Sequence, residues 1–265
     1  MPIRPIDREQ LRQQYQSAKP VPWFCIDDFL EPEFAEKVYR SFPSFDEALK
    51  TGRLFSAVNE KGKVQITDST KFPAPVLQLS EELNSPEFLR VIEEVTGTAN
   101  LLADEQFVGG GIHETSPRGH LDVHLDFDYI PERQLYRRFN ILIYFNKDWK
   151  PDWGGEFELW NKDVTELQHS FGPIFNRCVL FETNNVSWHG VNSVRCPEGQ
   201  SRKSFAAYYY TKEVPPWHDG QHRTTLFKAR PAEVLKGKVL MPAEKLGRSL
   251  RGAYHGLKNA MKGKT

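Results

Sequence analysis

The residues with the clearest chemical potential are His124-Leu-Asp126, a distant His189 and Arg202-Lys-Ser204. Two imidazoles and one carboxylate are the set that holds a non-heme iron(II) ion on one face and leaves the opposite face open. The imidazoles supply nitrogen donors, and the carboxylate offsets one of the two positive charges. Side chains alternate along a strand, so His124 and Asp126 share a face and can grip one ion from a rigid support. The third ligand has to come from another strand, and His189 in Ser187-Trp-His-Gly-Val191 suits that role. An arginine fork matches a carboxylate in charge and geometry. Alternation puts Arg202 and Ser204 on one face and turns Lys203 away. Such a set describes an iron centre with a keto-acid co-substrate, the equipment of an oxygenase.

A competing pair lies just upstream. His120-Leu-Asp122 has the same spacing and the same strand face, and spacing does not choose between the two. Gly119 marks a strand start near His120, and Phe127 continues an apolar strand past Asp126, so local sequence favours the later pair. A single strand histidine is more often a locally hydrogen-bonded core or surface residue than a ligand. The ordered combination carries the reading, not the HxD spacing alone.

Positioning these residues requires several strands side by side. From about residue 105, strand-like runs follow closely at 107–112, 121–127, 139–145, 156–160, 177–181, 188–191 and 204–210. Turn clusters such as Pro151-Asp-Trp-Gly-Gly155 separate them. Many short strands with helices only beforehand predict a mainly β fold with flanking helices, a closed or double-sheet jelly roll. Residues 1–20 read as a mobile or loosely helical lead-in, and 21–26 as a short β run. Pro32 with Phe34, Val38 and Phe42 predicts an amphipathic helix over 32–42, and Phe88, Ile92 and Val95 predict another over 86–96. The polar stretch 44–72 reads as a long loop with short strands that covers a pocket.

The end of the chain has a different texture. Leu246, Leu250, Tyr254, Leu257 and Met261 recur with helical period among Lys245, Arg248, Arg251, Lys258 and Lys262. This predicts a basic amphipathic helix, with Pro242 as its start and a cost of about 1 kcal/mol at each of Gly247, Gly252 and Gly256. The division is therefore a main domain over 1–214 and a basic extension over 215–265.

Bulk composition fits this picture. With 265 residues, 18 Phe, 9 Tyr and 6 Trp, one large β domain can bury a sizeable core. A formal net charge of zero conceals an acidic body and a basic tail. From Pro215 onward there are 11 Lys/Arg against 3 Asp/Glu, near +8, leaving 24 against 32, near −8. Cys25, Cys178 and Cys196 are odd in number and widely spaced, which excludes a disulfide framework or zinc knuckle and fits a reducing compartment. The N-terminus is polar and no run approaches the roughly 20 apolar residues of a membrane span, so a cytoplasmic protein is expected. No nucleic-acid motif accompanies the tail charge, and no such partner is expected.

Residues 109–211 resemble the prolyl 4-hydroxylase-like branch of the iron(II)/2-oxoglutarate-dependent dioxygenases. The resemblance rests on His124-Leu-Asp126, Arg138-Phe-Asn-Ile-Leu-Ile-Tyr-Phe-Asn146, Trp149 and Gly154-Gly-Glu156. It continues through Pro173 with Phe175-Asn-Arg177, Phe181, His189-Gly-Val191 and Arg202-Lys-Ser204. Trp23-Phe-Cys-Ile-Asp-Asp-Phe-Leu30 also looks like the family's opening strand and helix entry. The family places its HxD shortly before the arginine-containing strand, which favours His124 and Asp126.

The resemblance implies a double-stranded β-helix with iron(II) bound by His124, Asp126 and His189. It implies 2-oxoglutarate chelating the metal and setting its far carboxylate on Arg202, with help from the hydroxyls of Ser204 and Tyr144. Molecular oxygen is the second co-substrate and ascorbate a candidate reductant. The expected reaction is hydroxylation of an unactivated C–H of an amino acid, a prolyl-like peptide residue or a related small molecule, with release of succinate and CO2. The alternatives are desaturation, cyclisation or demethylation of a natural-product intermediate, or a non-catalytic jelly-roll binding protein. Asp126 argues against halogenation, because related halogenases lack that carboxylate. Pocket rims are expected at 44–72, 128–133 and 184–188, with Trp188 against either substrate or core. Arg138 is expected on an acidic substrate group or a buried carboxylate, the second ahead of the first. The basic tail is expected to dock on the acidic body or support a homodimer.

Overall fold

The computed structural model describes residues 2–243; the helix expected over 246–261 lies outside them. Five helices come first: α1 (Arg8–Ser17), α2 (Pro32–Ser41), α3 (Phe45–Thr51), α4 (Ala74–Leu83) and α5 (Pro86–Thr96). Among them lie β1 (Trp23–Ile26), β2 (Arg53–Ser56) and β3 (Glu60–Ile66). Then follow β4 (Leu102–Ala103), β5 (Gly111–Leu125), β6 (Tyr129–Ile130), β7 (Leu135–Tyr144) and β8 (Phe157–Trp160). The series ends with β9 (Leu167–Phe171), β10 (Cys178–Glu182), β11 (His189–Val191), β12 (Arg202–Thr211) and β13 (Leu226–Lys228).

Local chemistry sets the helix starts. The side chains of Asp7 and Ser85 accept backbone N–H bonds in the first turns of α1 and α5, and Ser44 and Glu47 close a reciprocal cap on α3. Pro32 and Pro86 open α2 and α5 with a backbone angle already suited to a helix. The lead-in is thus a capped helix, and 44–72, expected as a long loop with short strands, holds the helix α3 and a β2–β3 hairpin.

The sheets explain how distant residues meet. The first half of β5 pairs with β12 on one side and β3 on the other, while its last residues pair with β11 and β13. One strand therefore runs from a larger sheet, β1-β10-β7-β12-β5, into a smaller one, β5-β11-β8-β9. The outer margins of the two sheets meet through side chains: Trp23 of β1 packs on His169 at 4.4 Å and on Phe171 at 4.9 Å, both from β9. The result is the curled antiparallel double-stranded β-helix expected from the sequence.

Period-two alternation divides the larger sheet. Phe139, Ile141 and Ile143 of β7, Cys178 and Leu180 of β10, and Phe205, Ala207 and Tyr209 of β12 face the helices. There they meet Val38, Leu79, Phe88 and Ile92, and each such large side chain stabilises the fold by about 1.5–3 kcal/mol through burial. Asn140, Leu142, Arg202, Ser204 and Tyr208 face the other way, into a cavity.

Several family-motif residues hold this frame together. Asn146 accepts from the Lys203 N–H at 2.7 Å and donates to the Pro173 carbonyl at 2.6 Å. Asn176 exchanges two 2.9 Å bonds with the Leu30 backbone, and Arg177 forks onto Asp27. The three cysteines are free, and no helix among the described residues is long and apolar enough to cross a membrane.

Candidate metal centre and co-substrate pocket

His124 of β5 and His189 of β11 sit opposite each other in register, their rings 4.2 Å apart. The Nδ1–H of His124 donates to the Asp122 carbonyl at 2.9 Å, and that of His189 to the Ser187 carbonyl at 2.7 Å. A carbonyl only accepts, so both rings carry a hydrogen on Nδ1 and turn Nε2 inward. Nε2 of His124 lies 3.5 Å from Asp126 Oδ1, and Nε2 of His189 lies 3.3 Å from Oδ2. One ligand atom from each of the three lies within 4.8 Å of the others. Burial lowers the His189 pKa. Burial alone would raise that of Asp126, but Arg137 and the two imidazoles outweigh it and hold the carboxyl well below its usual range. An ionised carboxylate between two inward ring nitrogens is the donor set that suits a divalent cation.

The upstream HxD is occupied elsewhere. Asp122 is fully buried and takes Lys236 Nζ at 2.5 Å, while His120 Nε2 lies 3.1 Å from the Val58 carbonyl.

Arg202 stands on β12 beside this trio. It is 4 % exposed, donates from Nε to the Gly155 carbonyl at 2.6 Å and from Nη1 to Ser204 Oγ at 3.2 Å. It has no carboxylate partner among the described residues; burial lowers its pKa, and the charge is left facing a cavity. Tyr144 is directly opposite Ser204 in the ladder, its ring 5.0 Å from the guanidinium. The Tyr144 hydroxyl is buried without a hydrogen-bond partner, and burial pushes its pKa up to about 12. A buried cation, a serine hydroxyl and an unpartnered phenol are chemistry for a carboxylate. Lys203 turns away, onto Glu114 and Pro43.

The cavity has a volume of about 570 Å³ and contains His124, Asp126, His189, Arg202 and Ser204 together. Ladder register lays two rows of side chains across its floor. One runs Arg202–Thr115–Lys63–Phe55, the other Ser204–His113–Gln65–Arg53, while Tyr144, next to Ser204 in the ladder, packs in a buried cluster and does not line the cavity. The β2–β3 hairpin is thus a wall, as expected for the 44–72 stretch. Residues 128–133 and 184–188 do not line the cavity. Trp188 packs with Val123, Leu125, Trp160 and Val164 in a small core instead.

Sequence reasoning missed the groups that hold Asp126. Asn140 donates to its Oδ2 at 2.8 Å and Arg137 Nη2 lies 3.1 Å from the same oxygen. Arg137 is 1 % exposed and lies over the Tyr208 ring at 3.5 Å. Arg138, singled out from the motif, reaches Thr98 and Thr211 instead, both at 3.4 Å. The reason is a slip in pairing between Tyr209 and Tyr210, opposite Phe139 and Arg137. Such a bulge breaks the two-residue alternation, so Arg137 rather than Arg138 shares a face with Asn140.

Known proteins place this arrangement. Residues 110–210 match the model of the 2OG-Fe(II) oxygenase superfamily. Over those residues the chain is similar to this superfamily. Over 209 residues, 73 % of this chain, it is 27 % identical to the prolyl 3,4-dihydroxylase OGFOD1 of Ostreococcus tauri, covering 38 % of that protein. Over 78 residues, 28 % of this chain, it is 32 % identical to the mouse (Mus musculus) prolyl 3-hydroxylase OGFOD1, covering 14 % of that protein. The chain thus spans less than two fifths of the curated relatives it matches. Among solved structures, a prolyl hydroxylase of Trichoplax adhaerens in complex with a hypoxia inducible factor peptide fragment aligns with a TM-score of 0.54 and 16 % identity. That alignment covers 77 % of this chain and 91 % of the other, and at this identity it speaks for the fold. Members of the superfamily use iron(II), 2-oxoglutarate and molecular oxygen.

Proposed function

We propose that the protein is an iron(II)- and 2-oxoglutarate-dependent dioxygenase that hydroxylates an unactivated C–H of an amino acid, a prolyl-like peptide residue or a related small molecule. The observation that carries this reading is the shared cavity: two inward Nε2 atoms and an ionised carboxylate at one point, and an unpaired buried guanidinium beside it. His124, Asp126 and His189 would hold the iron, and Arg202 with the Ser204 and Tyr144 hydroxyls would receive the far carboxylate of 2-oxoglutarate. Iron bound there supplies, with oxygen and the keto acid, the oxidising power for C–H hydroxylation as the keto acid is converted to succinate and CO2.

The residues of the chain do the rest. Asn140 and Arg137 engage one oxygen of Asp126, so the carboxylate is held in a fixed direction. Phe157, Phe181 and Leu142 line the cavity near His189 and keep water from the reacting region. The names of the prolyl hydroxylase relatives support a peptide or amino-acid substrate. The acidic body and the basic tail over 215–265 support docking of that tail on the body or on a second copy, and the free cysteines suit the cytoplasm. Sedimentation of the full chain and of a chain ending at residue 243 tests the dimer.

Anaerobic titration of iron(II) and 2-oxoglutarate, watching the visible charge-transfer band of a chelated keto acid, tests the central reading. The wild type should develop the band, and His189→Ala should abolish it. Arg202→Ala should weaken 2-oxoglutarate binding by about 1.5–3 kcal/mol, as for a lost charged hydrogen bond. Unchanged co-substrate affinity in Arg202→Ala would sink the assignment of that residue.

A further inference from the structure

The basic extension after residue 215, expected to dock on the acidic body or support a dimer, has its described part at the site. Within β13, Phe227 pairs directly with His124, whose other neighbour is His189 of β11. The Phe227 ring is stacked on the His124 ring, 5.5 Å between centroids and 30° between planes. Thr225 and Phe227 line the same cavity as the three ligand candidates. His124 is thus held between an imidazole on one side and a phenyl ring on the other.

Charged contacts fasten the segment at both ends. Before the strand, Arg223 donates its backbone N–H to Asp128 Oδ1 at 2.8 Å. After it, Arg230 meets Glu158 at 2.8 Å and Asp122 at 3.5 Å, and Lys236 meets Asp122 at 2.5 Å. Asp122 serves twice. Its carbonyl accepts the Nδ1–H that orients His124, and its buried carboxylate anchors the segment. Lys228 lies over the Trp188 ring at 4.2 Å, one residue before His189.

We infer that residues 223–236 are a built part of the iron site, a strap in which Phe227 is a positioning residue for His124. This rests on the proposed iron-binding role of His124. The strap fixes the plane of one ligand ring, and ring orientation governs how well Nε2 meets a metal. It also continues, along the same edge of β5, the cavity wall that the β2–β3 hairpin begins, so Thr225 and Phe227 bound the room left for substrate.

The test compares Phe227→Ala, Phe227→Leu and Phe227→Tyr in the full chain. Iron(II) affinity is read by competition with a chelator, and the position of the anaerobic iron–2-oxoglutarate band is read beside it. Phe227→Ala should bind iron about tenfold more weakly, in the range seen when a ligand's supporting group is removed, with a displaced band. Phe227→Tyr should restore both, and Phe227→Leu should fall between. Should Phe227→Ala fail to fold by circular dichroism, Phe227→Leu against Phe227→Tyr decides on the same two readouts. Wild-type iron affinity and an unmoved band in the Ala or Leu variant would overturn the inference. A wild-type protein without the band, or one whose band survives His189→Ala, would instead overturn the underlying iron reading.

Discussion

Arg137 gives the carboxylate of Asp126 its character. It is a fully buried cation whose charge is favoured, against the cost of burial, by Asp126 beside it. Removing either supporting group leaves Asp126 with a single anchor, so Arg137→Gln and Asn140→Ala should each weaken iron(II) binding by about 10–100-fold in chelator competition. Residue by residue, the sequence was legible where the chemistry is written in short motifs. His124 with Asp126 and Arg202 with Ser204 could be picked out by their two-residue spacing, and His189 by its place between them in the ordered set of motifs. Arg137 could not, because a backbone bulge sits between it and the alternation that would have revealed it. Phe227 carries no spacing signal at all; only the ladder with β5 brings it to His124.

At the level of elements, the turn before β8 shapes the co-substrate pocket. Gly154 has φ +65 and ψ −147, and a Cβ there would lie 2.3 Å from the Ser193 carbonyl. The following Gly155 offers the carbonyl that receives Arg202 Nε. Gly154→Ala should cost at least about 1–3 kcal/mol of stability in urea unfolding and weaken 2-oxoglutarate binding with it. A second prediction concerns Glu114 of β5, which is buried against Ser201 and Lys203. Burial pushes its carboxyl up to about 7, with Lys203 and the Ser201 hydroxyl pulling the other way. The folded state therefore prefers this group protonated. Its contribution is fully present below the usual value of 4.5 and is lost as pH rises toward about 7. Glu114→Gln should flatten the fall in Tm across that window. Among the helices, α2 and α5 were legible from proline starts and regular apolar spacing. The helix α4 was not among the expected elements, although Val76, Leu79 and Leu83 are buried on it.

On the scale of the whole molecule, the double-stranded β-helix was readable because many short strands in quick succession leave few other ways to bury their faces. The path of the chain after residue 215 was legible only as a basic segment docking on an acidic body, since its partners, Asp122, Asp128 and Glu158, lie far away in sequence. Ligand linkage gives a global check. Iron(II) at about 100 times its Kd should stabilise the fold by about 2.7 kcal/mol, a rise of several degrees in Tm by calorimetry. His189→Ala should show no such rise.

Because β5 belongs to both sheets, its backbone alone links the two ends of the pocket. Thr115 faces Arg202 near one end of that strand and His124 faces His189 near the other. Between these two points the strand bulges: Lys61 and Lys63 of β3 pair with His120 and Thr115, and Arg118 takes φ +65. The distance from Arg202 to the three ligand candidates is therefore set by that bulge, and a residue inserted or deleted within it would alter the span between them.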